Sequence, residues 1–189
     1  ELALKDYAKA IAINTDNFQT TRAINNRALI YEVRGEDKLA ISEYTKAIEI
    51  DPKDPLYYSN RAKRWQHIED YNKALADYTK AIELERDNPE WYDDRADCHL
   101  EMEDYTSALK DYDKAIDLAP NDPSYYNNRA DFYKNFVEEY ELALKDYAKA
   151  IAINSDDYET TRALNNRALI YAFRGEDKLA ISEYTKAIE

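Results

Sequence analysis

Five acidic residues fall close together in the middle of the chain: Glu90, Asp93, Asp94, Asp97 and Glu101. On a helix, residues 90, 94, 97 and 101 share one face, and like charges so placed repel unless a cation offsets them. Three chemistries suit that stripe. It could dock a Lys- or Arg-bearing segment, stand as a solvated acidic face, or hold a divalent cation, although its spacing is not that of a calcium loop. A second set is made of asparagines, Asn26, Asn60, Asn128 and Asn166, at one recurring place. A carboxamide both donates and accepts, so these side chains could hold a peptide backbone of any sequence, or cap and face solvent. Lys63, His67 and Asp131 complete the candidate binding set.

Catalytic chemistry has little to build on. Gly35 and Gly175 are the two glycines, too few and too far apart for a phosphate-binding loop. Cys98 has no second cysteine for a zinc site. His67 and His99 fall in different segments, His67 at a groove edge and His99 at a core-type place. We therefore expect no enzyme, catalytic residue, cofactor or metal site.

What positions these residues is repetition. Asn/Asp-Arg-Ala triplets begin at Asn26, Asn60, Asp94, Asn128 and Asn166, with spacings of 34, 34, 34 and 38 residues. Tyr-x-Lys-Ala-Ile blocks begin at Tyr7, Tyr44, Tyr78, Tyr112, Tyr147 and Tyr184. A longer period of 140 residues is superimposed: residues 141–189 restate 1–49 with 42 of 49 positions identical. The seven differences are Thr15/Ser155, Asn17/Asp157, Phe18/Tyr158, Gln19/Glu159, Ile24/Leu164, Glu32/Ala172 and Val33/Phe173. Periods of this length mark stacked supersecondary units.

Each unit reads as two helices. In residues 55–88, Asp54 can cap a helix whose first turn holds Pro55. Tyr58, Ala62 and Trp65 then share one face. A turn is expected at Glu69-Asp70-Tyr71, and Ala74, Leu75, Tyr78, Ala81 and Ile82 stripe the second helix. Strand alternation does not occur over more than a few residues. The triplet arginine is matched by an acid on the second helix: Arg27/Glu43, Arg61/Asp77, Arg95/Asp111, Arg129/Asp146 and Arg167/Glu183. A bidentate bridge across each helix pair is the expected reading.

These residues resemble the tetratricopeptide repeat. Tyr58, Ala62, Trp65, Tyr71, Ala74, Tyr78 and Ala81 fill that family's aromatic and small places, with Arg86 where it has proline. The next unit gives Tyr92, Ala96, His99, Tyr105, Ala108, Tyr112, Ala115 and Pro120. Departures are the triplet Arg and Ala where the family has Leu and Gly, extra residues read as inter-helix connection near Asn17–Thr21 and Asp157–Thr161, and an insertion in Asn135–Tyr140. The resemblance implies an all-α fold, a right-handed superhelical solenoid of stacked antiparallel helix pairs. It would be one array over 1–189: a second helix of a truncated repeat at 1–16, then repeats at 21–53, 55–88, 89–122, 123–157 and 161–189, truncated at both ends.

The resemblance also implies a protein-interaction scaffold that holds an extended peptide or partner helix along its concave face. Asn26, Asn60, Lys63, His67, Glu90, Asp93, Asp94, Asp97, Glu101, Asn128, Asp131 and Asn166 would line that face. The family's two-carboxylate clamp keeps its Asn here but not its basic partners, which argues against capture of an acidic tail. The net charge of −13 points to a neutral or basic partner and away from nucleic acid or an anionic membrane. No apolar run reaches the length of a membrane helix. A single cysteine excludes an internal disulfide and favours the cytoplasm. The alternatives are a structural, weakly end-to-end self-associating array, or a regulatory segment of a larger protein.

Overall fold

The computed structural model describes residues 2–13, 16–153 and 157–188, and eleven α-helices account for nearly all of them. The chain falls into two compact units, Glu1–Asp104 and Tyr105–Glu189. Unit 1 holds α1 (Leu2–Ile13), α2 (Asn17–Val33), α3 (Asp37–Ile50), α4 (Pro55–His67), α5 (Tyr71–Leu84) and α6 (Pro89–Glu101). Unit 2 holds α7 (Tyr105–Leu118), α8 (Pro123–Asn135), α9 (Tyr140–Ile153), α10 (Asp157–Phe173) and α11 (Asp177–Ile188). Within each unit, consecutive helices pack on one another. Among the described residues no helix is long and apolar enough to cross a membrane.

Local chemistry sets the helix ends. Asp54, Asn88 and Asp122 accept from the backbone N–H two residues on, at 2.9, 3.1 and 3.0 Å, and a proline opens α4, α6 and α8. These caps satisfy N–H groups that the first turn leaves free. At the turn inside each pair the backbone crosses into the left-handed region, at Gly35, Glu69, Glu103, Glu138 and Gly175, with φ between 55° and 72°. Two of these turns use the residue that tolerates such a φ without strain. The other three force it on a glutamate.

One expectation needed correction. The extra residues near Asn17–Thr21 and Asp157–Thr161 are not connection. They lengthen α2 and α10 to 17 residues, one turn more than the 13 of α4, α6 and α8. Asp16 caps the longer α2 through Phe18 N at 3.0 Å. The copy differences Asn17/Asp157, Phe18/Tyr158 and Gln19/Glu159 thus lie in helices, and Thr15/Ser155 lies outside the described residues.

The seams close on alanine. Ala28, Ala40, Ala47, Ala62, Ala74 and Ala81 are fully buried in unit 1, as are Ala130, Ala143, Ala150, Ala163 and Ala168 in unit 2. Small side chains let the ridges of neighbouring helices interlock at close range. Tyr44, Tyr78 and Tyr147 fill the remaining space and are fully buried. Each finds an acceptor for its hydroxyl: Glu32 at 2.6 Å, Gln66 at 3.0 Å and Asp131 respectively. Without one, a buried hydroxyl costs about 1–3 kcal/mol.

The expected arginine bridges form within both units, in two geometries. Arg61 and Arg129 fork onto Asp77 and Asp146 through both carboxylate oxygens, at 2.7 to 2.8 Å. Arg27 and Arg167 instead close on a single oxygen, Oε2, of Glu43 and Glu183. The other oxygen accepts from Lys46 at 2.7 Å and Lys186 at 2.8 Å. The remaining pair, Arg95 and Asp111, belongs to different units.

Candidate peptide-binding face

Helices α4 and α6 bring the central candidates together. Lys63 on α4 lies 2.9 Å from Asp94 and 3.1 Å from Glu90, both on α6. Lys63 is therefore shared by two carboxylates. Burial disfavours its ammonium, but Asp94 and Glu90 outweigh that and hold its pKa above the ordinary lysine value. Asp94 is pushed up to about 6, first by burial and then by the charges of Glu90 and Asp97, against the lowering effect of Lys63. Asp97 and Glu101 continue the stripe, both exposed, while Asp93 is half-buried beside it.

His67 closes the end of α4. Its side chain is exposed, yet Nδ1 sits 2.8 Å from Asp37 at the start of α3, and Arg64 reaches the same carboxylate at 3.4 Å. An open cleft of about 390 Å³ beside it is lined by Lys63, Arg64, Gln66, His67, Tyr71 and Glu101, among others. Asn26 and Asn60 are half-buried on α2 and α4.

Unit 2 inverts the polarity at the same register. Asp131 on α8, the counterpart of Lys63, meets Arg162 of α10 at 2.6 Å and Asn166 at 3.2 Å, and accepts from the buried Tyr147 hydroxyl. Arg162 also donates to Asn128 at 2.9 Å and Glu159 at 3.2 Å, and Lys134 donates to Asn166 at 2.7 Å. In both units an opposite-charge pair therefore joins one first helix to the next, with the signs exchanged. Asn128 and Asn166, candidates for holding a ligand backbone or for a capping or solvent role, take part in this internal network.

Lys134 and Arg162 are the residues that sequence reasoning passed over. Their signal was register: Arg162 stands where Glu90 does, and Lys134 where Gln66 does. Cys98 is buried, its thiol pushed up to about 12 by burial and by the nearby Glu101 and Asp97 charges, which leaves it an inert core residue. Among the described residues no three His, Cys, Asp or Glu side chains converge on a metal-sized site.

Comparison with known proteins agrees with this geometry. Two repeat models match: "Tetratricopeptide repeat" over residues 21–54, 66–88 and 161–189, and "TPR repeat" over residues 96–135. The Photosystem I assembly protein Ycf3 of Synechococcus sp. (strain CC9902) is 32% identical over 71 residues, 36% of this chain and 41% of the relative. The chain thus spans about two-fifths of the length of the curated relatives it matches. Among solved structures, MamA from Desulfovibrio magneticus superposes with a TM-score of 0.71 at 18% identity, covering 89% of this chain and 93% of that one. YrrB, described as a TPR protein with an unusual peptide-binding site, gives 0.62 at 22% identity, covering 96% and 90%. Those two likenesses speak to fold alone. The period, the alanine seams, the consecutive helix pairs and the two repeat models converge: the chain belongs to the tetratricopeptide repeat family.

Proposed function

We propose that this protein-interaction scaffold binds an extended peptide or partner helix of neutral to basic character along α4 and α6, with α2 flanking. The protein-binding role follows from the repeat fold. The charge preference rests on one observation: Glu90, Asp94, Asp97 and Glu101 follow one face of α6, with Lys63 2.9 Å from Asp94 and 3.1 Å from Glu90. A carboxylate so placed gains from a second cation, and a Lys or Arg from a ligand would supply it beside Asp97 and Glu101. Asn60 would hold the ligand backbone, with Asn26 and His67 at the edges.

The test is selection from a library of extended 15-residue peptides graded in net charge, repeated with Asp97→Lys and Glu101→Lys. Enrichment of Lys- and Arg-bearing peptides that the reversals abolish supports the reading. Enrichment indifferent to the reversals, or favouring acidic peptides, overturns it. A second reading, service in assembling a larger complex, has the printed name of the Ycf3 relative in its favour.

A further inference from the structure

The face of unit 1 that carries the acids of α6 changes chemistry along its length. The 34-residue period places Leu29 of α2 and Leu56 of α4 in the relation that Lys63 and Glu90 hold between α4 and α6, where the two meet at 3.1 Å. The junction that is ionic between α4 and α6 is thus made of leucines between α2 and α4. Leu29 and Leu56 are 43% and 42% exposed, and Val33, one turn beyond Leu29 on the same face, is 90% exposed. Neighbouring exposed apolar side chains of this kind mark interaction surfaces.

Val33's place stays open in a first helix that has neighbours on both sides. α4 meets α2 through Arg64 and Glu32 at 3.7 Å and α6 through Lys63 and Glu90, yet His67, 34 residues on from Val33, is exposed. The openness of Val33 therefore belongs to the groove. Charge follows the same gradient. Arg22 is exposed on the α2 face that carries Leu29 and repels a ligand cation at that end. Glu32, an acid of α2, is taken by the Tyr44 hydroxyl at 2.6 Å and lies beside Arg64. At the other end Asp97 and Glu101 stand exposed on α6.

We propose that the ligand of this groove is an extended segment with two unlike ends: a bulky apolar side chain seated on Leu29, Val33 and Leu56, and a Lys or Arg against Asp97 and Glu101. This rests on the α4–α6 face being a peptide site, and adds which residues choose the peptide and in what order along the groove. Packed helices stand about 8–10 Å apart, so the two steps from α2 to α6 span roughly 16–20 Å. An extended chain rises about 3.3 Å per residue, which sets the apolar and basic side chains about five or six residues apart. The residues between them would cross the cleft that Lys63, His67 and Glu101 help to line. A cation at the α2 end meets Arg22, and an apolar side chain at the α6 end meets only carboxylates, so the two ends do not exchange.

The test is selection on the whole chain from a library of extended peptides in which one leucine or phenylalanine and one Lys-Arg pair stand at graded separations. Enrichment should peak where about five or six residues separate them. An enriched peptide, labelled and titrated, should bind about tenfold more weakly to the Val33→Asp chain, and about tenfold more weakly to the parent chain when its own apolar residue is changed to serine. The two losses should not add when combined, because both remove one contact. Val33 is exposed, an unchanged melting curve verifies that the variant folds, and the separation profile needs no variant at all. Basic peptides enriched at every separation alike, or bound equally by the Val33→Asp chain, overturn this inference and leave the charge preference standing. No enrichment of basic peptides overturns both.

Discussion

Arg61 grips Asp77 through two parallel bonds of 2.7 Å and sends its third nitrogen back to Thr45 at 3.0 Å. One guanidinium therefore ties α4 both to α5 and to α3. Lysine keeps the charge but has no fork. Arg61→Lys should cost about 1–3 kcal/mol, read by urea denaturation. Arg27→Lys should cost less, because Glu43 offers Arg27 one oxygen and keeps Lys46 on the other. Equal losses at the two sites would refute the assignment of the extra stability to the fork and its Thr45 leg.

Glu69 holds a φ of 62° in the turn between α4 and α5, where the α2–α3 turn has Gly35 at 69°. A side chain in the left-handed region costs about 1–2 kcal/mol, part of which glycine's greater unfolded freedom offsets. Glu69→Gly should raise stability by about 0.5–1 kcal/mol, as should Glu103→Gly. A lowered melting temperature in both would mean that the glutamates contribute more through their side chains than the backbone loses.

Much of this was legible in the sequence because it is periodic. The triplet and Tyr-x-Lys-Ala-Ile blocks located every helix pair, and the Asp-Pro steps marked the starts of α4 and α8. The extra turn of α2 and α10 was not legible. Asn17 to Thr20 carry no apolar spacing of their own, and the cap at Asp16 lies outside the repeat's usual register. The candidate face was read one helix at a time, which found the acids of α6 but not what they touch. Lys63 between Glu90 and Asp94, and Asp131 between Arg162 and Asn166, are contacts between successive first helices. Such contacts follow from the register of one helix against its neighbour, which the period gives, and from side-chain direction, which it does not.

Asp94 gives the fold a pH dependence. Its folded-state pKa of about 6 lies above the ordinary 3.8, so the folded chain holds this proton more tightly than the unfolded one. The resulting stabilisation is complete below about pH 4 and lost as pH rises through about 6. The groups facing it are Lys63 on α4, Tyr78 on α5, and Glu90 and Asp97 on α6. Asp94→Asn should thus stabilise the chain at pH 7–8 by on the order of 1 kcal/mol, with no gain left at pH 4. A uniform loss at both pH values would show that the Lys63 pair outweighs the burial penalty.

The two near-identical copies differ where a buried hydroxyl needs an acceptor. Tyr44 is fully buried and donates to Glu32 at 2.6 Å. In the second copy Ala172 replaces that glutamate, and Tyr184 is only half-buried. Glu32→Ala leaves the Tyr44 hydroxyl without its partner in a closed seam and also removes a carboxylate 3.7 Å from Arg64. The expected cost is about 1–3 kcal/mol. Glu32→Ala combined with Tyr44→Phe should recover much of it, because removing both polar groups removes the unmet demand. The reverse change, Ala172→Glu, should alter stability by less than about 0.5 kcal/mol, since water already serves a half-buried hydroxyl. Urea titrations of the three variants check the set; a double variant no more stable than Glu32→Ala alone would place the cost in the lost Arg64 contact instead.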